Sequence, residues 1–397
     1  MHLNFIKNTV LLFVLTLLSC RNHTNSQAQS PLRVGAQQTE TYLPILKNKN
    51  VGILANQTTV IFKESGYTHL VDSLLSLNVV VKKVFAPEHG FRGTADAGEY
   101  VKDGVDSGSG VPIVSLYGGK KKPDPKTLEG LDVVIFDVQD VGARFYTFLS
   151  TLHYIMETCA DLGITVLVLD RPNPNGHFVD GPILDLNNSS FVGMHPVPIV
   201  HGMTVGEYAK MVNGEGWLSN GIQCDLKVIP VENYTHQIAY ELPIKPSPNL
   251  PNTTAINLYP SLCLFEGTNV SVGRGTELQF QIFGSPFLDL SDYTFEFTPA
   301  PNVGAKYPKH EAKTCKGLNL KNQPNLSQIE LKWLLDAYRN TENKVEFFNP
   351  FFTKLAGVKL LQQQVEMGMT ADEIRESWKP GLERYKKLRA PYLLYPL

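Results

Sequence analysis

The chain has 397 residues, of which 43% are hydrophobic and 19% are charged, and its formal net charge is −2. A nearly neutral chain without basic blocks is not typical of a protein whose main partner is nucleic acid. The length predicts two domains, each large enough to bury its own hydrophobic core.

The first residues have the pattern of an export signal. An apolar run at 10–18 follows Lys7, and the letters LLSC that end at Cys20 resemble a bacterial lipobox. We therefore predict that 1–20 is a lipoprotein signal peptide, that Cys20 is lipidated and that 21–32 is a tether. The predicted location is exported and membrane-anchored, in the periplasm or at the cell surface. A plain secretory signal is the alternative. An uncleaved transmembrane helix is disfavoured, because the apolar run is short for a membrane span.

Short apolar runs alternate with helical stretches from about residue 34, which is typical of a parallel sheet with crossover helices. Thr204 begins one predicted helix, and Glu207 completes a capping box there. The other predicted helices of this half are 67–77 and 145–162. The predicted strands are 51–55, 79–86, 111–117, 132–138, 164–170, 197–200 and 224–231.

The proline-rich segment KPSPNLPN at 245–252 predicts an extended stretch of chain. We place a domain boundary near it, which gives a first domain at 33–235 and a second at 236–397. The second domain is predicted to contain a strand at 294–298 and helices at 327–341 and 370–388.

Polar residues follow each of the first five predicted strands. Because the carboxyl ends of parallel strands meet at one edge of a sheet, these residues predict a site there. They are Asn56, Gln57, Thr58 and Thr59; Glu88, His89 and Arg92; Tyr117; Asp137, Gln139, Asp140 and Arg144; and Asp170, Arg171, Asn173 and Asn175.

Glu88 is our candidate catalytic acid, in the motif PEHGFRG after the second strand. Its apolar neighbours Pro87 and Phe91 would favour the protonated carboxyl by desolvation. A helix cap or a surface ion pair is the competing interpretation. Glycoside cleavage also needs a second group, either a carboxylate or the sugar's own 2-acetamido group. The carboxylates that stay open for this role are Asp137, Asp140, Asp170 and Glu266.

A second polar cluster, EGTNVSVGRGTE at 266–277, supplies Glu266, Asn269 and Arg274. Arginines also occur throughout the polar loops, and a guanidinium binds a carboxylate with two parallel hydrogen bonds. We therefore predict an acidic sugar such as N-acetylmuramic acid as the substrate, with surface ion pairs as the alternative role. The arginines are Arg92, Arg144, Arg171 and Arg274.

The sequence lacks the motifs that hold common cofactors. GxGxxG, GxxxxGK[ST], HExxH and GxSxG are all absent, so we predict no nucleotide cofactor, no metal and no serine nucleophile. The cysteines after residue 20 are too widely spaced for a zinc site and are predicted to be buried small hydrophobes. They are Cys159, Cys224, Cys263 and Cys315.

Six motifs in order, PEHGFRG, DVQDVGARFYT, LDRPNP, HGMTVGE, PSPNLP and EGTNVSVGRGTE, resemble those of the exo-acting β-N-acetylmuramidases, glycoside hydrolase family 171, formerly a domain of unknown function. The resemblance implies an α/β fold in which a Rossmann-like parallel-sheet domain and a smaller α/β domain enclose the active-site cleft. It implies release of N-acetylmuramic acid from the non-reducing end of peptidoglycan fragments. Glu88 falls on the family's proposed catalytic glutamate. Other motif positions fall on Arg144, Tyr146, Asp170, Arg171, Glu266 and Arg274.

These observations give one set of predicted site residues. The predicted catalytic residues are Glu88, Glu266 and Asp140. The predicted substrate-binding residues are His89, Arg92, Asp137, Arg144, Tyr146, Asp170, Arg171, Asn269 and Arg274. The predicted partners are muropeptides, MurNAc-GlcNAc and, through Cys20, the membrane. Retaining, inverting and acetamido-assisted mechanisms all stay open, and the alternative functions are a non-catalytic peptidoglycan-binding lipoprotein and a metal-dependent hydrolase.

Overall fold

The computed structural model describes residues 31–91, 103–288 and 293–397. Its strands form a large sheet in the first half of the chain, a small sheet in the second half and a separate hairpin. They are β1 (Asn50–Ala55), β2 (Val60–Phe62), β3 (Tyr67–His69), β4 (Val80–Ala86), β5 (Gly104–Val105), β6 (Pro112–Ser115), β7 (Val133–Asp137), β8 (Thr165–Leu169), β9 (Leu226–Ile229), β10 (Ile282–Ser285), β11 (Phe295–Phe297) and β12 (Cys315–Asn319).

The seven-stranded sheet has the order β5-β6-β4-β1-β7-β8-β9. Every pair in it is parallel except β5 with β6. All residues of β7 are buried, as expected for a strand covered on both faces. Strand β4, the next strand of this sheet along the chain, lies on one side of β1, and β7 lies on its other side. The connections to these two strands therefore diverge at β1. Such a switch point opens a crevice outside the carboxyl ends of the strands.

Helices connect these strands and dominate the second half. The end of the helix at 148–162 is set by Gly163, which adopts φ 66, a conformation that glycine tolerates. The next helix starts with the predicted capping box of Thr204 and Glu207. The helices are α1 (Thr39–Leu46), α2 (Leu70–Ser76), α3 (Pro125–Leu128), α4 (Phe148–Leu162), α5 (Val205–Gly214), α6 (Thr253–Leu262), α7 (Lys332–Asn340), α8 (Phe351–Ala356), α9 (Leu360–Glu366) and α10 (Ala371–Arg389).

The predicted parallel strands are confirmed within a few residues at each end, but the start of one predicted helix and one other predicted strand are wrong. The helix predicted at 67–77 begins only at Leu70, because Tyr67–His69 pairs with Val60–Phe62 as a hairpin. The strand predicted at 197–200 is not a strand; Val200 makes only isolated bridges to Ala143 and Asp180. Both segments were too short for hydrophobic periodicity to distinguish a strand from a helix or a loop.

The second half is a smaller mixed unit in which β12 lies between β10 and β11, antiparallel to both. It packs against the first half through one continuous hydrophobic core, and contacts join Arg33–Leu397 into a single compact unit. The strand predicted at 294–298 and the helix predicted at 370–388 are confirmed as β11 and α10. The helix predicted at 327–341 is present as α7 but begins only at Lys332. The boundary at 235 stays a prediction.

Polar residues after the parallel strands meet at one edge, as predicted, but most of them bond to one another there. Thr59 Oγ1 donates to the carbonyl of Asp137, and the backbone N–H of Gln139 donates to Thr58 Oγ1 at 2.9 Å. Gln139 Nε2 donates to the carbonyl of Pro172 at 2.8 Å. This buried network ties the loops together, and it leaves few side chains at the edge to contact a ligand.

The cysteines at 159, 224, 263 and 315 are free and buried, as predicted. Within the described ranges, none of the helices is long and apolar enough to cross a lipid bilayer. Cys20 lies outside the described residues, so its lipidation stays a prediction.

Candidate active site

A cleft of about 800 Å³ lies between the carboxyl edge of the large sheet and the second half of the chain. Its volume is within the range of small-molecule sites, about 300–1,000 Å³. The first half contributes Glu88, Tyr117, Phe145, Thr147 and Val192 to its lining. The second half contributes Tyr259, Cys263, Glu266, Arg274, Gly304, Ala305, Lys306, Tyr307, Pro308, Lys309, Phe351 and Leu355.

Glu88 stands in the turn that follows β4 and is half-buried. Positive φ angles at His89 (70°) and Gly90 (76°) turn the chain sharply after it. Tyr117, just beyond β6, donates its hydroxyl to Glu88 Oε1 at 2.8 Å, and Thr147 donates to Oε2 at 2.6 Å. Thr147 precedes α4 without capping it, so its hydroxyl serves the carboxyl instead. The carboxyl of Glu88, in the loop after β4, is thus held by side chains from the loops after β6 and β7.

A narrow recess of about 50 Å³ continues from the cleft behind Glu88. His89, Tyr146 and Arg274 are among its lining residues. Tyr146 is buried and donates its hydroxyl to the carbonyl of Pro246 at 2.9 Å. Glu88, Thr147 and Arg274 line both spaces, so the recess adjoins the cleft.

Glu266 lies on the other wall of the cleft, in the 3-10 turn Cys263–Gly267. Arg274 Nε donates to Oε1 at 2.6 Å and Nη2 donates to Oε2 at 3.2 Å. The Cys263 thiol donates to Oε2 at 3.7 Å. Burial opposes ionisation of Glu266, but the Arg274 guanidinium outweighs it and lowers the pKa of this carboxyl. The wall therefore presents an ionised carboxylate.

Lys309 fixes the turn that carries Glu266. Its ammonium donates to the carbonyls of Phe265 (3.2 Å), Thr268 (2.5 Å) and Val270 (3.0 Å), which uses all three of its N–H groups. Burial lowers the pKa of Lys309 to about 8. The predicted binding residue Asn269 is part of this turn; its carbonyl contacts His310 Nε2 at 2.6 Å, and its side chain is not among those that line the cleft.

Asp137 and Arg171 are not brought to the cleft. Arg171 Nε donates to Asp137 Oδ1 at 2.6 Å and Nη2 donates to Oδ2 at 3.0 Å, with both side chains almost fully buried. Arg171 Nη2 also donates to the carbonyl of Val60 at 3.0 Å. These contacts join β7, the loop after β8 and the hairpin, which supports a structural role for the pair.

Asp170 follows β8 directly and is also buried, where it contacts the first turn of α5. It accepts hydrogen bonds from Thr204 Oγ1 (2.7 Å), from the backbone N–H of Gly206 (2.8 Å) and from the Tyr395 hydroxyl (2.5 Å). Glu207 accepts from the backbone N–H of Leu394 at 2.8 Å. The two carboxyls therefore attach the end of the chain to the large sheet.

Arg144 links the two halves of the molecule instead of facing the cleft. Nη1 donates to the carbonyls of Pro182 and Val197 at 2.9 and 2.8 Å. Nη2 donates to the carbonyls of Leu355 and Ala356 at 2.9 and 2.7 Å. Burial lowers the pKa of this arginine to about 9.

Asp140 is buried and does not line the cleft. Its Oδ1 accepts from the backbone N–H of Gly142 at 2.7 Å and lies 3.9 Å from His201 Nε2. Burial raises the pKa of Asp140 to about 7 and lowers that of His201 to about 3. Arg92 lies outside the described residues. The described part of the chain contains no group of three or more His, Cys, Asp or Glu that could hold a metal ion.

Sequence reasoning missed several cleft residues. Thr147 is the last residue of the motif DVQDVGARFYT and was given no role. Tyr117 was noted only as a polar residue at the end of a predicted strand. Tyr259, Lys309 and Tyr307 were not considered at all. The sequence gives a weak signal for Tyr307, since it lies in KYPKH at 306–310, a mixed aromatic and basic stretch.

Comparisons with known proteins agree with this architecture. The family model for the N-terminal part of exo-β-N-acetylmuramidase NamZ matches 51–254, and the C-terminal model matches 257–395. The chain is 36% identical to the peptidoglycan β-N-acetylmuramidase NamZ of Bacillus subtilis over 383 residues, 89% of each protein.

Two crystal structures of DUF1343 family proteins from Bacteroides fragilis are also similar. One has 49% identity and a TM-score of 0.85, and the other has 26% identity and a TM-score of 0.76. Each comparison covers 92% of this chain and 99% of the other. The chain therefore belongs to the exo-β-N-acetylmuramidase NamZ family and is a glycoside hydrolase.

Proposed function

We propose that the protein hydrolyses terminal N-acetylmuramic acid from the non-reducing end of peptidoglycan fragments, with Glu88 as general acid and base. The relative from Bacillus subtilis is a peptidoglycan β-N-acetylmuramidase. The observation that carries the proposal is that Glu88 and Glu266 line the same cleft, each held by side chains of its own wall.

Glu88 has partners suited to a carboxyl that must both give and take a proton. The hydroxyls of Tyr117 and Thr147 donate to its two oxygens. A hydroxyl can also accept a hydrogen bond, so either group can stay bonded when Glu88 is protonated. The carboxyl can therefore give its proton to the leaving oxygen and later take one from water without losing its position.

Glu266 is the candidate for the second carboxylate, since Asp137, Asp140 and Asp170 do not line the cleft. Arg274 keeps Glu266 ionised, and an ionised carboxylate stabilises the positive charge that develops at the anomeric carbon. In this proposal Glu88 supplies the proton and Glu266 supplies the negative charge.

Arg274 also supports recognition of an acidic sugar. Its Nε and Nη2 contact Glu266, while Nη1 has no hydrogen-bond partner among the described residues. Nη1 is enclosed by protein, so in this proposal Arg274, which lines the cleft, attracts the lactyl carboxylate of N-acetylmuramic acid through its positive charge. Lys309 is less suited, because its three N–H groups already bond to backbone carbonyls.

The family supports an exo mode of action, because both matching family models describe an exo-β-N-acetylmuramidase. In this proposal the terminal sugar lies in the cleft beside Glu88 and Glu266, and the rest of the glycan extends out to solvent.

Replacing Glu88 with Gln tests the proposed role of this carboxyl. We expect turnover of a chromogenic β-N-acetylmuramide to fall by roughly a hundredfold or more, with unchanged thermal unfolding. Glu277→Gln, at an exposed position near the same cluster, is the matched control and should keep full activity. Equal turnover by the Glu88 variant and the original protein would refute the assignment.

Mass spectrometry distinguishes this function from the alternative of a non-catalytic peptidoglycan-binding lipoprotein. Overnight incubation with muropeptides should release free N-acetylmuramic acid. Binding of muropeptides without any released sugar would support the alternative.

We propose further that the protein is an exported lipoprotein anchored through Cys20. The support is the LLSC motif after an apolar run. Labelling with a fatty acid analogue should mark the original protein and not Cys20→Ser, which should move from the membrane fraction to the soluble fraction. Labelling of the variant would contradict the anchor.

A further inference from the structure

Tyr307, at the opening of the cleft, has no part in the proton transfer and charge stabilisation proposed for Glu88 and Glu266. Tyr307 lines the cleft and is 91% exposed, the second most exposed of the large hydrophobic side chains described. Most exposed hydrophobic side chains need no explanation, but one at the opening of a ligand cleft indicates a contact surface. Phe351, which is 38% exposed, lines the same cleft.

The segment that carries Tyr307 is anchored on both sides. On one side, Asn249 Nδ2 donates to the carbonyl of Gly304 at 2.7 Å. On the other side, the Lys309 ammonium donates to three carbonyls, and His310 Nε2 contacts the carbonyl of Asn269 at 2.6 Å. These contacts fix the chain on both sides of Tyr307, so the backbone that carries the exposed ring is held at a defined place. Only the side-chain rotamers of Tyr307 then have to be ordered when a ligand packs on the ring.

The direction of the substrate determines what this ring meets. In the proposed exo mode of action, the terminal sugar lies in the cleft beside Glu88 and Glu266, and the rest of the substrate leads out to solvent. Tyr307 lines the cleft and is 91% exposed, so the sugar on the leaving side of the scissile bond passes this ring. Sugar rings have an apolar face of C–H groups, and an aromatic ring packs well against such a face.

We infer that Tyr307 is a specificity-determining residue that packs against the hexosamine ring of the leaving group. The inference rests on the proposed function and adds the group that recognises the second sugar. Tyr307 lies outside the set of groups that hold Glu88 and Glu266, so it acts on binding of the leaving side. It favours substrates with a sugar there over those with a small aglycone.

Binding measurements on the inactive Glu88→Gln protein test this inference. The two probes are MurNAc-GlcNAc and methyl β-N-acetylmuramide, which share the terminal sugar and differ only on the leaving side. Adding Tyr307→Ala should weaken binding of the disaccharide by about three- to tenfold, with a much smaller effect on the methyl glycoside. Tyr307→Phe should restore disaccharide binding, because the ring face and not the hydroxyl makes the contact.

Tyr67→Ala is the matched control, since Tyr67 is 58% exposed and is not among the residues that line the cleft. It should leave the ratio of the two affinities unchanged. Equal weakening of both probes by Tyr307→Ala, or weakening of neither, would overturn the inference and leave the proposed function standing. Failure of the Glu88→Gln protein to bind either probe would count against both.

Discussion

Thr147 donates a hydrogen bond to Glu88 Oε2 at 2.6 Å, although the two residues are 59 positions apart in the sequence. Thr147 stands at the beginning of α4 and Glu88 stands after β4, on different sides of β1 in the sheet. The bond therefore exists only because parallel strands bring their carboxyl ends to one edge.

Removing this hydroxyl should reduce catalysis without unfolding the protein. Thr147→Val keeps the shape of the side chain, and we expect kcat to fall about tenfold, since a hydrogen bond to a charged group is worth about 1.5–3 kcal/mol. Tyr117→Phe should have a similar effect on the other oxygen of Glu88. Thr151→Val, one turn further along α4, is the control for buried threonines on this helix. Steady-state kinetics with an unchanged kcat in Thr147→Val would show that Glu88 needs no such support.

The buried pair of Asp137 and Arg171 should matter for stability. Asp137→Asn leaves the guanidinium buried without its counter-charge, and we expect the free energy of unfolding to fall by about 3–5 kcal/mol. The control is Asp336→Asn, which breaks the more exposed ion pair with Arg339 and should cost less than about 1 kcal/mol. Urea unfolding measures both values. Similar losses in the two variants would contradict the structural role of the buried pair.

Arg144 should be equally intolerant of change, because its guanidinium satisfies four carbonyls. Arg144→Met leaves those carbonyls buried without a donor, at about 1–3 kcal/mol for each group that water cannot reach. We expect a fall of several kcal/mol in the free energy of unfolding, and a smaller fall for Arg144→Lys, which keeps the charge. A stable Arg144→Met protein with lost substrate binding would instead indicate a role in binding.

Asp140 predicts a pH dependence of stability. Its pKa of about 7 in the folded state lies above the ordinary value of about 4, so the folded protein binds more protons between these limits. The contribution of Asp140 to stability therefore falls as the pH rises from about 4 to about 7. The side chain of Asp140→Asn does not ionise, so this variant should not lose stability over that pH range through residue 140. Its amide oxygen can still accept a hydrogen bond from the backbone N–H of Gly142.

Unfolding experiments at pH 5 and pH 8 check this prediction. The variant should gain stability relative to the original protein by about 2–3 kcal/mol between the two conditions. If the difference in the free energy of unfolding between the two proteins is the same at both pH values, burial does not raise the pKa of Asp140.

The parallel sheet and the importance of its carboxyl edge could be predicted from the amino-acid sequence. Strands such as β7 are continuous hydrophobic runs, and polar residues follow them at once, so both features are local and visible in one dimension. The motif around Glu88 was identified for the same reason. The motifs that carry the family resemblance are likewise local, and their order along the chain is visible in the sequence.

The polar residues that face the cleft could not be told from the buried ones before the fold was known. Asp137, Arg171, Asp170 and Arg144 have the composition of a binding site, yet each is buried and hydrogen-bonded to other parts of the protein. Whether a polar group faces solvent or a buried partner depends on contacts between residues far apart in the chain. Local patterns report residue type and spacing, whereas burial and partnership are properties of the folded chain as a whole.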